Sequence, residues 1–384
     1  MKNWIKKNLG IVVKVGVFLL LLIWMIILMC LKNNKDFCEA YSRGFGRVLG
    51  TVLSFISCII PISLAELSIV ACAIITIILL ILIFKELKKK NYLKAISKTL
   101  NIALIPMGIF SGYFTTSEMQ FNRKTLPVPL YEGKVEEEEY YDIIKYFLDD
   151  YNYCASQLTF KEDGDIDLKD YSFAKINNLV KKAYEKLKGT ELEGYLNSFT
   201  PNCKPLMSSN MWTEFQITGV DFGLFGEANI NTYQPAAGYP MVMAHEIAHT
   251  KGVMREGDAN LLAMYVLLQS DEPYLRFSAY YWGFDSILSI AKYSDDKNLH
   301  NNLLNEIADE IYANDSHTYY FWKKHNLLEK ISDFFNNLYL KGSGEPEGTA
   351  SYNDTPIVIN PVTEKVVTFT IWQRLYLNLY YSNK

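Results

Sequence analysis

The residues with the clearest potential for chemistry are two histidines and a glutamate in the stretch His245-Glu246-Ile247-Ala248-His249. Side chains four positions apart on a helix lie on the same face, one turn from each other. His245 and His249 can therefore bind one metal ion together, and two imidazoles at this spacing are typical of zinc sites. Glu246 lies beside them, where it can accept a proton from a water at the metal. The motif predicts a hydrolytic Zn²⁺ centre.

A catalytic zinc site needs a third protein ligand and one open position. Gly252 allows the chain to turn after the motif helix, so that a second helix can run back against it. Glu256 and Asp258 compete for the third position. We favour Glu256, because Asn260 follows four residues later on the same face. From there Asn260 can hydrogen-bond the far nitrogen of a ligating histidine and fix its tautomer.

The segment before the motif, Ile217 to Tyr233, is rich in glycine and β-forming residues and predicts one or two strands. In zinc peptidases with this motif, a strand beside the cleft usually lines the substrate. Glu227, Asn229 and Asn231 are therefore candidates for a substrate rim. The alternative interpretation is an ordinary edge strand.

The chemistry expected of this site is peptide-bond hydrolysis by a zinc-activated water, with Glu246 as the general base. Glu246 would take a proton from the water and later pass it to the leaving amine. A further donor usually assists zinc in stabilising the oxyanion. No sequence feature identifies that donor, and a tyrosine or a histidine such as His317 is a candidate.

The first 120 residues carry long apolar runs and form a predicted membrane region with two to three transmembrane helices. The runs Gly10 to Leu31 and Leu67 to Phe84 are long enough to cross a bilayer. Leu100 to Phe114 is a shorter third run. Val48 to Ile60 is shorter still, and its length suits an interfacial or re-entrant piece.

Lysines predict the orientation of the chain, because basic residues concentrate on the cytoplasmic side of membrane proteins. Lys2, Lys6 and Lys7 precede the first run, and a lysine cluster from Lys85 to Lys98 follows the second. Both sites are cytoplasmic if the chain crosses twice between them. A third crossing then places everything after about residue 115 outside. We therefore expect a multi-pass protein of the cell membrane with an extracytoplasmic catalytic domain.

The composition of the chain limits the classes of binding partner that we expect. The net charge is −4, and no basic stripe interleaved with aromatic residues is present, so the sequence gives no indication of nucleic-acid binding. A lipid bilayer and a peptide or protein substrate are the expected partners.

The six cysteines include no C-x-x-C pair. Cys154 and Cys203 could pair if this part of the chain faces an oxidising space.

Residues 121–384 are expected to form the catalytic domain. Helical patterns cover Tyr140 to Tyr153, Tyr171 to Lys188, Met241 to Lys251 and Glu256 to Gln269, and most of the chain after Ser270 is helical and aromatic. The fold class predicted is mainly α with a small β element, an α+β zincin-like domain after N-terminal transmembrane helices.

The stretch from His245 to Asn260 resembles the pattern H-E-L-A-H-x-x-G-F-x-x-E-x-E-A-N of a bacterial membrane-protein family catalogued as domain of unknown function 3810. Gly226 to Asn231 is similar to the G-E-A-N-x-N of that family. Phe121-Asn122-Arg123 and Tyr339-Leu340-Lys341 fit as well. Two positions depart from the pattern, since Val253 stands where the family has Phe and Asp258 where it has Glu.

The resemblance implies a multi-pass, zincin-like membrane protein with helix pairing similar to that of the gluzincin peptidases. In those enzymes the acid of an E-x-x-x-D/N pattern binds zinc, and this role falls on Glu256. We therefore expect a membrane-anchored zinc metalloprotease. The alternatives are a non-enzymatic sensor or assembly protein that retains a metal site, and a zinc hydrolase that acts on a cell-wall component.

Overall fold

The computed structural model describes residues 8–384, so Lys2, Lys6 and Lys7 of the topology argument lie outside the described residues. The chain is mainly helical with a few short strands, which confirms the coarse fold class. The helices are α1 Leu9–Leu31, α2 Lys35–Tyr41, α3 Arg47–Ser57, α4 Leu64–Lys88, α5 Tyr92–Tyr113, α6 Met119–Phe121, α7 Tyr140–Ser156, α8 Phe173–Glu185, α9 Ser209–Glu214, α10 Tyr239–Thr250, α11 Glu256–Leu268, α12 Pro273–Leu288, α13 Leu299–Leu304, α14 Asp309–Lys324, α15 Glu329–Ser343 and α16 Ile371–Ser382. The strands are β1 Lys204–Pro205, β2 Gly219–Phe222, β3 Glu227–Ile230, β4 Val358–Ile359 and β5 Val366–Thr368.

Within the described residues, three helices are long and apolar enough to cross a membrane: α1, α4 and the helical stretch Tyr92–Phe121 that contains α5 and α6. The third is longer than the apolar run in the sequence, because the helix begins before that run and continues through Pro106. Their surfaces are almost entirely exposed to the surroundings of the chain. Such apolar exposure is compatible with lipid and unfavourable in water.

Two hydrogen bonds align α1 with α5. Lys14 Nζ donates to Ser97 Oγ at 2.8 Å near the start of both helices, and Trp24 Nε1 donates to Thr115 Oγ1 at 2.8 Å just past the end of α5. The two helices therefore run side by side in the same direction. Only residues 89–91 separate α4 from α5, so α4 runs in the opposite direction. The lysine cluster from Lys85 to Lys98 consequently lies at one end of this three-helix group.

The short helix α3 is amphipathic. Val48, Val52 and Phe55 are exposed, whereas Ser54 and Ser57 are buried against the rest of the chain. With 11 residues, α3 is too short to span a bilayer. Its polar face contacts the second half of the protein, and its apolar face is mostly exposed, although Phe55 contacts Phe199 with ring centroids 5.6 Å apart.

The predicted strand segment before the motif forms an antiparallel pair, β2 and β3, joined by a turn at Gly226, which has a φ of +62°. In the three-stranded sheet the order is β1-β3-β2, with β1 parallel to β3. Thus β3 is the central strand and is wholly buried, whereas β2 is an edge strand. The C-terminal segment forms the β4-β5 hairpin followed by α16.

The helix that carries the histidines, α10, lies in the centre of the main hydrophobic core. Pro240 stands in its first turn, where a missing backbone N–H costs nothing, and Gly252, at a φ of +89°, follows its end. Tyr184 donates to the carbonyl of Ala244 at 2.6 Å. The neighbours α11, α12, α8 and β3 bury almost the whole of α10, which fixes its side chains.

The helical stretch from Tyr92 ends at Phe121, and an extended segment leads to the next helix. The change of structure falls at the predicted domain boundary, and the division into 1–120 and 121–384 stays a prediction. Cys154 and Cys203 are buried free thiols.

Candidate metal centre

His245 and His249 lie one turn apart on α10 with their Nε2 atoms 2.9 Å from each other. The Nδ1 atom of His249 lies 2.8 Å from the carbonyl oxygen of Val253. A carbonyl only accepts hydrogen bonds, so this contact places a proton of His249 on Nδ1 and makes Nε2 the ring nitrogen that can bind a metal. The sequence reasoning missed this contact of Val253, which depends on the turn at Gly252.

Glu256 is the first residue of α11, and its Oε2 atom lies 3.1 Å from His245 Nε2 and 3.3 Å from His249 Nε2. Its backbone N–H donates to the Oε1 atom of Glu345 at 3.1 Å, which holds the start of α11 in place. Asp258 instead forms an ion pair with Arg255 at 3.0 Å. The structure therefore brings Glu256, and not Asp258, to the two histidines.

The three side chains fit a zinc ion. Their ligand atoms all lie within 4.8 Å of one another. Three ligands about 2.1 Å from a tetrahedral ion lie about 3.4 Å apart, close to the separations seen among His245, His249 and Glu256. The Oε2 atom of Glu256 is buried and has no hydrogen-bond partner of good geometry. A buried carboxylate oxygen without such a partner is costly, and a cation at this point would remove that cost.

The three side chains of the cluster differ in charge. Burial, together with the neighbouring His249, lowers the pKa of His245, so its imidazole is neutral. Burial opposes a charge on His249, but the carboxylate of Glu256 outweighs it and raises the pKa of His249 to about 10, so that metal binding there releases a proton. Burial also opposes the charge on Glu256, but the positive charge of His249 and the contacts with both imidazoles lower the pKa of Glu256. Glu256 is therefore ionised, and a neutral imidazole with an anionic carboxylate is a suitable zinc donor set.

Glu246 lies under strand β2. A Cβ atom on Gly219 would come within 2.6 Å of its Oε1 atom, so only glycine leaves room there. Its Oε2 atom is buried without a hydrogen-bond partner. Burial raises the pKa of Glu246 well above its usual value, and the charges of Asp221 and Glu256 raise it further. Once ionised, a carboxylate with a raised pKa is a stronger base than a carboxylate in water.

Asp221, on β2, is an acid of this site that the sequence analysis did not single out. It is partly buried, and burial raises its pKa to about 7, with Glu256 and Glu227 contributing in the same direction. Its Oδ1 atom has no hydrogen-bond partner. The available signal was one of the two acids, Asp221 and Glu227, among the β-forming residues just before the motif.

Asn260 does not form the hydrogen bond expected with the far nitrogen of His245, because that Nδ1 atom is buried without a partner. The Nδ2 atom of Asn260 instead donates to the carbonyl of Tyr352 at 3.0 Å. The Tyr352 ring in turn stacks on His245, with centroids 6.4 Å apart and an angle of 28° between the planes. Tyr352 was also missed, because it lies in a loop distant in sequence.

The residues expected at a substrate rim are completely buried, which corrects that expectation. Glu227 forms an ion pair with Lys204 and accepts hydrogen bonds from Ser57 and from the first amides of α4. Asn231 donates to the carbonyl of Ile217, and Asn229 is enclosed within the sheet. The physical reason is that β3 is the central strand, so neither of its edges faces a cleft. The strand beside Glu246 is β2.

His317 lies on α14 against the segment between α7 and α8, with its Nδ1 atom 3.1 Å from the carbonyl oxygen of Asp163. Its ring stacks on Phe321. The contacts of His317 are thus in another part of the fold. Tyr352 is the aromatic residue that the structure brings to the histidines.

A protein-family model matches most of this chain. The model of a family described as "Protein of unknown function (DUF3810)" matches residues 41–359, which is more than half of the 384 residues. The chain belongs to the DUF3810 family. No curated protein and no solved structure matches it. In this DUF3810 protein the matched range begins after α1 and includes both metal-site helices, the β2-β3 pair and the segment that holds Tyr352.

Proposed function

We propose that this protein is a membrane-anchored zinc metalloprotease of the gluzincin type. One observation carries the proposal: the Nε2 atoms of His245 and His249 and the Oε2 atom of Glu256 lie 2.9–3.3 Å apart, next to the buried acid Glu246. The third candidate ligand, Glu256, comes from a second helix that begins after a glycine turn. Two histidines and one carboxylate are the ligand set of catalytic zinc in several peptidases.

The cluster favours a catalytic site over a structural one. Structural zinc sites are closed by four protein ligands, whereas catalytic sites have three and keep one position open. In the described part of the chain, the cluster offers three candidate ligands. A sensor or assembly protein with a purely structural ion would need a fourth ligand at the same point.

A bound zinc ion would supply Lewis acidity, which makes a water molecule acidic enough to attack a carbonyl at neutral pH. The chain supplies the proton transfers. Glu246 accepts a proton from the attacking water and gives it to the nitrogen of the leaving amine when the C–N bond breaks. The contact between His249 Nδ1 and Val253 keeps the Nε2 lone pair directed at the ion.

The arrangement of the three apolar helices supports an extracytoplasmic site in a multi-pass membrane protein. The lysine cluster from Lys85 to Lys98 lies at one end of these helices, and the chain enters the metal-site domain from the other end, after Phe121. By the positive-inside rule the lysine end is cytoplasmic. The domain with the metal centre then lies outside the cell.

The proposal is tested on the full-length protein purified in a mild detergent. We expect about one zinc ion per chain by elemental mass spectrometry and cleavage of members of a mixed peptide library. Glu246→Gln keeps the zinc and loses hydrolysis, because the amide cannot accept the proton. His249→Ala loses both. Protein without zinc, or a Glu246→Gln variant as active as the wild type, contradicts the proposal.

The same preparations separate peptidase from cell-wall activity. Both reactions use the same donor set, so the two differ only in the substrate consumed. We incubate wild-type protein and the Glu246→Gln variant with the peptide library and with peptidoglycan fragments. If the wild-type protein cleaves the peptides and the Glu246→Gln variant does not, the proteolytic function is supported. If the wild-type protein cleaves only the wall fragments, it is a wall hydrolase and not a peptidase.

A further inference from the structure

Helix α15 exposes an apolar face. Ile331, Phe334, Phe335 and Leu338 have 51%, 65%, 63% and 60% of their surfaces exposed. Their spacing of three and four residues puts them on one side of the helix. The opposite side carries the buried Leu340 and Ser343. A helix that is apolar on the outside is unfavourable in water, so this face needs a covering.

The C-terminal end of α15 lies at the ends of two apolar helices. Lys32, directly after α1, donates from Nζ to the carbonyl of Gly342 at 3.3 Å. Tyr113, the last residue of α5, hydrogen-bonds the Ser343 hydroxyl at 2.6 Å. Its ring also contacts Tyr339, with centroids 5.9 Å apart. This end of α15 is therefore at the level where α1 and α5 end.

The other end of α15 is connected to the start of α4. The N–H of Leu328, directly before α15, donates to the carbonyl of Glu214 at 2.9 Å. Glu214 is the last residue of α9, and Trp212 in the same helix donates from Nε1 to Glu66 Oε1 at 3.3 Å. Glu66 lies in the first turn of α4. Because α1, α4 and α5 have these ends on the same side, α15 extends across the ends of all three.

We propose that α15 lies in the outer interface of the bilayer, with Ile331, Phe334, Phe335 and Leu338 in the boundary between headgroups and acyl chains. The occupant of the apolar face is lipid, because both ends of the helix are held at the end of the membrane-spanning group. An amphipathic helix with aromatic and aliphatic residues on its apolar face binds this boundary. Lys330 and Lys341 are exposed and available to lipid phosphates.

The interfacial position of α15 has a consequence for the metal centre. On its inner side, Leu340 packs with Phe121, Met254 and Tyr352. Met254 lies between the two metal-site helices, and Tyr352 stacks on His245. In this arrangement the bilayer surface lies along one side of the domain that contains the candidate metal centre.

The test uses the full-length protein in vesicles of phosphatidylcholine and phosphatidylglycerol. Phe334→Trp places a fluorescent reporter on the apolar face, and Asp333→Trp places a matched reporter on the adjacent exposed position outside that face. The signal of the wild-type protein is subtracted. We expect acyl-brominated lipids to quench Phe334→Trp on the order of twofold more than Asp333→Trp, and aqueous acrylamide to show the reverse order. Leu338→Trp repeats the measurement on the same face if Phe334→Trp does not fold.

Equal quenching of the apolar-face and control reporters by brominated lipid overturns the proposal. Shielding of the apolar face from acrylamide without lipid quenching also overturns it, and indicates that protein, for example a second copy of this chain, covers the face. Neither readout uses zinc or hydrolysis. The result of this test is therefore independent of the proposed metalloprotease function.

Discussion

The Nδ1 atom of His249 lies 2.8 Å from the carbonyl oxygen of Val253, which is four residues further along and beyond the turn at Gly252. This contact fixes the tautomer of a candidate zinc ligand by means of the backbone alone. The geometry of the turn therefore decides how His249 presents its Nε2 atom. Changes to the turn should affect metal binding even though none of its residues is itself a ligand.

We predict that Gly252→Ala weakens zinc binding by about 10- to 100-fold, the range typical of lost orientation at a metal ligand. Gly252 has a φ of +89°, and an added Cβ atom would come within 2.3 Å of Gln120 Oε1. Zinc affinity is measured by competition with a chelator. Gly342→Ala is the control, since nothing lies within 4 Å of its added methyl group. Equal affinities for the two variants would refute the role of the turn.

The choice of the third ligand gives a second prediction. Glu256→Ala removes the carboxylate that lies 3.1 Å and 3.3 Å from the two histidines, so the purified variant should contain little zinc. Asp258→Asn changes an acid that pairs with Arg255, and it should retain zinc. Metal content is measured on matched preparations. The reverse pattern would assign the ligand to Asp258.

A third prediction concerns the buried pair Lys204–Glu227, which joins the sheet to the start of α4. Lys204→Ala leaves the carboxylate of Glu227 without its cation in a buried place. Loss of one partner of a buried pair costs about 3–5 kcal/mol. We expect the free energy of unfolding in detergent to fall by about this amount. The double variant Lys204→Met with Glu227→Gln should recover part of the lost stability. If Lys204→Ala is as stable as the wild type, the pair does not stabilise the fold.

Arg123 provides a fourth prediction. Its guanidinium forms two hydrogen bonds with Glu39, at 3.0 Å and 3.1 Å, and donates to the carbonyl of Gly252 at 3.3 Å. Lysine cannot reproduce this forked geometry. Arg123→Lys should therefore lower the thermal unfolding temperature and the zinc affinity together.

The control for Arg123→Lys is the neighbouring Lys124→Ala. Lys124 pairs with Asp36 at 2.7 Å, but both side chains are largely exposed. Exposed pairs contribute little to stability, so this variant should match the wild type in both measurements. A loss of stability as large as that of Arg123→Lys would show that the effect is not specific to the buried fork.

Much of the helical framework could be predicted from the sequence. The motif helix was predicted to begin at Met241 and begins at Tyr239, and α11 begins at the predicted Glu256. Helix periods, the proline in the first turn and the glycine after the last are local features, so the sequence displays them directly. The strands before the motif were also predicted. Their order was not, because strand pairing is a non-local choice, and the placement of Glu227 and Asn229 at a rim was lost with it.

The sequence by itself determined that His245 and His249 share a helix face, because a spacing of four residues is a property of the helix. It also indicated two to three apolar helices, the third from a shorter run, and the lysine cluster that follows the second. Only the tertiary structure decided which acid joins the histidines. Glu256 is held there by Glu345, 89 residues further along. Asp221 and Tyr352 reach the same point from a strand and a loop, since long-range packing and burial, rather than local spacing, bring distant segments together.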